Sequence, residues 1–86
     1  MIIHELKTDP EVFDAVVDGR KKFEIRKDDR CFLVGDKLLL RRTKFTGLEM
    51  TLGKPLIYTG ESMHFPINYI LRGPVYGLEK GWVIMS

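Results

Sequence analysis

A single segment of this 86-residue chain has the apolar spacing of a helix, and a glycine marks its end. In the segment "TDPEVFDAVVDG", Thr8 or Asp9 can cap the N-terminus, and Pro10 and Glu11 suit the first turn. Gly19 accepts the left-handed backbone conformation that ends helices. Four apolar residues recur at helical spacing and predict a face packed on a core: Val12, Phe13, Val16 and Val17.

After this glycine the apolar period changes from helical spacing to two, which indicates a strand. Phe23 and Ile25 are predicted to point to one face, and Lys22, Glu24 and Arg26 to the other. Alternate side chains of a strand lie about 6.6 Å apart, so the three charged groups are expected to act together. Whether they line a recess or face bulk water decides any function they have.

The remaining segments predict short strands and turns. Strands are expected over residues 2–6, about 37–42, 56–60, 65–71 and 82–86, with a loop or frayed hairpin over 43–55. One helix and five or six strands predict an α+β, mostly β domain, a small antiparallel barrel with the N-terminal helix packed against it. The connections look too short for parallel crossovers. A chain of this length is expected to be one domain, residues 1–86.

Composition and charge limit the class of protein. The hydrophobic fraction of 44% and the charged fraction of 30% are typical of a soluble globular domain. A net charge of +2 excludes a strongly basic clamp of the histone type, but allows a local basic face. No apolar run approaches the ~20 residues that cross a bilayer, and charges come too early for a secretory signal. With one cysteine, Cys31, these features predict a cytoplasmic protein without a membrane partner.

Basic residues form two clusters, one over residues 20–30 and one over residues 41–44. Such charges ordinarily keep an edge strand soluble. Tyr76, in a glycine-rich loop, is the better candidate for stacking on a base, whereas Tyr69 and Trp82 are expected in the core. The histidines and aspartates lack the spacing of a metal site, so that no metal and no cofactor are expected.

Taken in order, these motifs resemble the ASCH superfamily, and most closely its small subfamily DUF3850. The pattern runs from His-x-Leu-Lys through a short helix ending in glycine to Glu-Ile-Arg, Asp-Arg and Gly-Asp. The segments "YTG", "YIL" and "YGLEKGWVIMS" resemble the subfamily's ending, so the resemblance covers nearly the whole chain. The residues that carry the first part are His4, Leu6, Lys7, Gly19, Lys21, Glu24, Ile25, Arg26, Asp29, Arg30, Gly35 and Asp36.

The resemblance implies a PUA-like β-barrel with a charged cleft between helix and barrel, and a role on RNA or nucleotides. The leading hypothesis is therefore an RNA- or nucleotide-binding module. In this hypothesis the cleft of Lys21, Glu24 and Arg26 reads a nucleotide, and the second basic cluster holds the phosphate backbone. The residues expected to bind are Lys7, Arg20, Lys21, Lys22, Glu24, Arg26, Arg30, Arg41, Arg42 and Tyr76.

Two other hypotheses stay open. The segment "GRKKFEIR" resembles a motif of the bacterial acetylcytidine amidohydrolases, a branch of the ASCH superfamily. It keeps the catalytic lysine of that motif at Lys21, but Glu24 stands where the motif has a nucleophilic threonine. If the protein is a hydrolase or nuclease, Glu24 would activate water while Lys21 polarises a carbonyl. The third hypothesis is a protein-interaction module with solvated charges. The oligomeric state and the role of residues 43–55 are left open.

Overall fold

The strands of this chain form two separate three-stranded sheets, as a computed structural model describes for residues 1–86. The first sheet has the order β1-β3-β4 and the second the order β2-β6-β5. The mostly β, α+β class predicted from the sequence is confirmed. The elements are β1 (Ile3–Thr8), α1 (Pro10–Val17), β2 (Glu24–Lys27), β3 (Lys37–Thr43), α2 (Gly47–Thr51), β4 (Tyr58–Pro66), β5 (Ile70–Arg72) and β6 (Trp82–Met85).

One strand pair is parallel, against the sequence-based expectation. β1 runs parallel to β3, with Ile3 opposite Lys37 and Thr8 opposite Arg42. The prediction that the connections are too short for a parallel crossover is wrong here because α1 and β2 both lie between β1 and β3. Together they give this connection the length that a parallel crossover needs. The other three pairs, β3–β4, β2–β6 and β5–β6, are antiparallel as expected.

The six strands do not close into a barrel, which corrects the expected architecture. β1 and β4 are the edge strands of the first sheet, and β2 and β5 are those of the second. No ladder of backbone hydrogen bonds joins one sheet to the other. The edges of β1 and β2 therefore keep backbone groups that must find other partners.

The core contains residues from both sheets and from α1. Strand alternation turns Leu38 and Leu40 of β3 and Val83 and Met85 of β6 inward, and all four are buried. The complete apolar core is Leu6, Phe13, Val16, Phe32, Leu38, Leu40, Ile67, Val83 and Met85. Five buried residues are polar or charged: His4, Thr8, Glu24, Asp36 and Thr43.

Residues 43–55, predicted as a loop or frayed hairpin, contain α2. Thr46 caps this helix: its hydroxyl accepts from the Glu49 amide at 3.1 Å, and the Glu49 carboxylate accepts from the Thr46 amide at 3.0 Å. The Thr-x-x-Glu pattern of a capping box was the available signal. β4 is one continuous strand where the sequence predicted the parts of two. Neither helix is long and apolar enough to cross a membrane.

Asp36 joins the start of β1 to the turn before β3. Its Oδ2 lies 2.9 Å from Nε2 of the buried His4, and its carboxylate accepts from the amides of Ile2 at 3.0 Å and Leu33 at 3.2 Å. The hydrogen bond with His4, followed by that with Ile2, lowers the pKa of Asp36 below its ordinary value of 3.8. A carboxylate with a lowered pKa in the folded state stabilises the fold above its unfolded pKa.

We expect Asp36→Asn to lower the urea midpoint of unfolding at pH 7, because the amide cannot accept all three hydrogen bonds. The gap to wild type should narrow as the pH falls below 3.8, where the stabilisation by Asp36 is lost. Urea titrations followed by circular dichroism at several pH values measure this. Asp29→Asn is the control and should open no such gap, since the Asp29 carboxylate is exposed and lies 3.9 Å from Arg30 Nε. A gap that stays constant down to the acid transition would contradict the prediction.

Candidate functional site

A charged cleft separates the facing edges of β1 and β2, and two arginines cross it. Arg26 donates from Nη1 to the Lys7 carbonyl at 3.0 Å and from Nη2 to the Thr8 hydroxyl at 3.3 Å. Arg30 donates from Nη1 to the Glu5 carbonyl. These guanidinium groups take the place of a neighbouring strand along β1. Because side chains rather than backbone bridge the edges, space remains between them.

Glu24 lies at the floor of this cleft with 2% of its surface exposed. Its Oε1 accepts from Lys21 Nζ at 2.9 Å, and its Oε2 accepts from Arg26 Nε at 3.3 Å. The Lys21 ammonium also donates to the Phe23 carbonyl. The side chains of Lys21 and Arg26 keep 17% and 25% exposure, so the two cations reach the solvent while the carboxylate does not.

The strand after α1 thus turns its charged face inward and its apolar face outward. Glu24 is buried and Arg26 half-buried, whereas Phe23 and Ile25 are exposed. The sequence predicted the alternation of these side chains, and the structure places Lys21, Glu24 and Arg26 together. A buried carboxylate with both oxygens paired is a fixed counter-charge. Its chemical role here is to hold two cations at the surface of a recess.

Two adjoining cavities open on this group of charges, and both are lined by Lys7, Asp9 and Arg26. The first has a volume of about 220 Å³ and also contains Lys21 and Glu24. The second, of about 480 Å³, extends past Arg30 to α2. Arg26 therefore lies where the two cavities meet.

The segment whose role the sequence left open forms one wall of the second cavity. Gly47, Met50 and Thr51 of α2 line it. Asp9 is the residue before α1, and its Oδ1 accepts from the Gly47 amide at 2.9 Å. The Asp9 side chain makes no capping hydrogen bond to its own helix. The contact with Gly47 fixes the start of α2 to the cleft. Residues 43–55 thus narrow the recess from the side opposite β2.

Positive charge dominates what the cleft offers a ligand. Lys7 is exposed, lines both cavities and takes part in none of the ion pairs. Glu24 is paired with its two cations, whereas Asp9 accepts from the Gly47 amide through Oδ1 alone and keeps its negative charge. The cations of the two cavities, Lys7, Lys21, Arg26 and Arg30, outnumber these two carboxylates, and the resulting net positive charge suits an anion such as a phosphate. No group of three or more histidine, cysteine, aspartate or glutamate side chains could hold a metal ion.

The second basic cluster lies outside this cleft and is paired within the protein. Arg41 donates to the Glu5 carboxylate, and its guanidinium carbon lies 3.5 Å from the centroid of the Tyr58 ring. Arg42 donates from Nε to Asp14 Oδ1 at 3.0 Å, and this hydrogen bond raises the pKa of Arg42. Neither arginine lines a cavity. The structure does not bring them to the predicted site.

Three further predicted residues lie at the margins. Arg20 donates from Nε to Asp18 Oδ2 at 2.7 Å, and this hydrogen bond lowers the pKa of the Asp18 carboxyl. Arg20 and Lys21 both line a cavity of about 430 Å³ beside α1. Lys22 is exposed and lines no cavity. Tyr76 is 92% exposed and likewise lines none.

The predicted core position is wrong for Trp82 and for Tyr69. Trp82 is half-buried, lies outside the core, and lines a third cavity of about 340 Å³ together with Arg26 and Arg30. Tyr69, also expected in the core, is 63% exposed. The alternation in "WVIMS" contained the signal, because a buried Val83 puts its neighbour on the opposite face.

Comparison with known proteins finds one matching family and one partial relative. The family described as "Domain of unknown function (DUF3850)" matches residues 3–86. Over 38 residues the chain is 47% identical to a protein of Escherichia phage P2 described as an uncharacterized 12.9 kDa protein in the GpA 3′ region. That alignment covers 44% of this chain and 35% of the phage protein, so the chain matches about a third of that relative's length. Neither description names a ligand or a reaction.

The burial of Glu24 predicts a large effect of Glu24→Gln on stability. The variant leaves Lys21 and Arg26 without their counter-charge, and because both cations are partly solvated we expect a loss of about 2 kcal/mol in the free energy of unfolding. Urea denaturation at pH 7 measures it. The control is Glu61→Gln: the Glu61 carboxylate is exposed and lies 3.8 Å from Arg42, so a change below about 0.5 kcal/mol is expected. Equal effects of the two substitutions would contradict the assigned role of Glu24.

Proposed function

Since the chain belongs to the DUF3850 family, whose description assigns no activity, we propose from its site that it binds RNA or nucleotides by their phosphate groups in the cleft between β1 and β2. The observation that carries the proposal is the buried Glu24 held between Lys21 and Arg26. Burying a paired carboxylate is costly compared with an apolar residue of similar size. We attribute the burial of Glu24 to its role in binding, because it holds two cations in place at the mouth of a recess.

The cleft is organised before any ligand arrives. Arg26 is fixed by Glu24, by the Lys7 carbonyl and by Thr8, and Lys21 is fixed by Glu24 and the Phe23 carbonyl. A ligand therefore pays little conformational entropy to order these side chains. Lys7 adds a cation with no competing partner. Fixed cations beside a free one favour a phosphodiester or a nucleotide phosphate over a neutral ligand.

The resemblance to the ASCH superfamily supports the same proposal, because its motif residues Lys21, Glu24 and Arg26 are those that form the cleft. The PUA-like fold that this resemblance implies shares its mostly β class and its N-terminal helix with the structure, in which the two sheets do not close into a barrel. We extend the proposal to a reducing, cytoplasmic setting, which suits the exposed free thiol of Cys31.

The hydrolase alternative has less support from the geometry. A general base needs an oxygen that a water molecule can reach, whereas Glu24 is almost fully buried and both of its oxygens accept from cations. A panel of acylated nucleosides, incubated with wild type and with Glu24→Gln, tests the alternative. Hydrolysis by wild type that the variant loses would establish the enzyme, and equal background rates would remove it.

Lys7→Gln tests the binding proposal with little risk to the fold, because Lys7 is exposed and takes part in no ion pair. We expect it to weaken binding of a fluorescein-labelled single-stranded RNA about fivefold and to reduce the salt slope by about 0.7, which is one phosphate contact on a single strand. Fluorescence anisotropy between about 50 and about 200 mM salt measures both quantities.

Lys80→Gln is the matched control, since Lys80 is exposed and lines no cavity. It should change neither the affinity nor the slope. Binding that is undetectable for single-stranded RNA, double-stranded RNA and nucleoside triphosphates alike would contradict the proposal. That result would favour the protein-interaction module.

A further inference from the structure

The third cavity beside the cleft combines apolar walls with cations. Its volume is about 340 Å³; Trp82 and Ile25 form its apolar side, and Arg26, Arg30, Lys27 and Asp29 form its charged side. Arg26 belongs to this cavity and to both cavities of the cleft. A ligand group in the third cavity therefore lies next to an anion held in the cleft.

The outward position of Trp82 follows from the register of the second sheet. Val83 and Met85 of β6 are buried in the core, so Trp82 points to the other face, where it lies opposite Lys27 of β2. Ile25 is 46% exposed on the same face of β2. A further cavity, separate from those of the cleft and with a volume of about 330 Å³, is also lined by Trp82 and Ile25. The indole thus lines two cavities at the surface, with the Lys27 ammonium over its ring at 6.0 Å from the centroid.

The chemistry of this cavity fits an unpaired nucleobase. Bases stack on aromatic rings and on guanidinium planes, and both kinds of group are present. Three cations against the single carboxylate of Asp29 give the rim the charge that complements a nucleic-acid backbone. A volume of about 340 Å³ is within the usual range for a pocket that receives a small organic group. In a duplex the bases are already paired and stacked, which leaves their faces inaccessible.

We propose that Trp82, with Arg26 and Arg30, forms a base-stacking subsite, and that the ligand is therefore an unpaired nucleotide of a single-stranded nucleic acid. The proposal rests on the phosphate-binding function proposed above and names the class of ligand for that site. The phosphate lies in the cleft at Arg26, on the inward face of β2, and the attached base reaches Trp82, on the outward face, through the third cavity, which both residues line.

Trp82 is the single tryptophan of the chain, so intrinsic fluorescence reports on this subsite directly. The probes are oligouridylate, an abasic deoxyribose-phosphate oligomer of the same length, a duplex RNA and inorganic tripolyphosphate. We expect oligouridylate to quench the fluorescence and to bind about tenfold more tightly than the abasic oligomer, with similar salt slopes for both. Tripolyphosphate should bind without comparable quenching, and the duplex should quench far less than the single strand.

Three variants, measured by anisotropy with labelled oligomers, separate stacking from packing. Trp82→Leu should abolish the tenfold preference for the base-containing oligomer, and Trp82→Phe, which keeps an aromatic ring, should retain part of it. Tyr69→Leu is the control, because this exposed tyrosine lines no cavity. It should leave the preference unchanged. Thermal unfolding verifies that each variant is folded.

The two proposals fail in distinguishable ways. Equal affinities for oligouridylate and the abasic oligomer, with unchanged fluorescence, would refute the stacking subsite and leave phosphate binding intact. Equal quenching by tripolyphosphate, or equal quenching by the duplex, would also refute stacking by an unpaired base. If no probe binds, the phosphate-binding function itself is overturned.

Discussion

The rest of the site depends on the gap between β1 and β2, which two arginines bridge. If the two edges were hydrogen-bonded as neighbouring strands, about 4.8 Å would separate them and no cavity would fit. Arg26 and Arg30 satisfy the carbonyls of Lys7 and Glu5 from a greater distance. The edge of β1 is thereby protected from pairing with another chain, while space for a ligand is kept. At this pair of edges the same contacts stand in place of a backbone ladder between the two sheets.

The position of Glu24 connects the fold to the site. Glu24 pairs with Met85 in the β2–β6 ladder, which turns both side chains inward. A shift of one residue in this register would expose Glu24 and bury Ile25 instead. Such a shift would separate Lys21 and Arg26 from their counter-charge. The ladder that stabilises the second sheet therefore also determines that the two cations converge.

Sequence patterns predicted those parts of the structure that depend on neighbouring residues. The apolar spacing of α1 and its end at Gly19, where φ is +84°, follow from local conformational preferences, and so does the alternation of β2. The position of β1 determines which face of β2 turns inward. The inward face carries Glu24 and Arg26, and its charged composition does not indicate burial. The parallel pairing of β1 with β3 likewise depends on contacts distant in sequence. The capping pattern of α2 and the alternation in "WVIMS" are local signals too, and they indicate the second helix and the outward position of Trp82.

The hydrogen bonds of Arg26 indicate what the site can still recognise. A guanidinium has five N–H groups. One on Nε donates to Glu24, one on Nη1 to the Lys7 carbonyl, and one on Nη2 to Thr8. Nη2 also lies 3.3 Å from Glu24 Oε2, so the N–H group left for a ligand is the second one on Nη1. In the proposed function, that donor and the Lys7 ammonium, which lines the same two cavities, each contact an oxygen of one phosphate, so that Arg26 both supports the cleft and takes part in binding the anion.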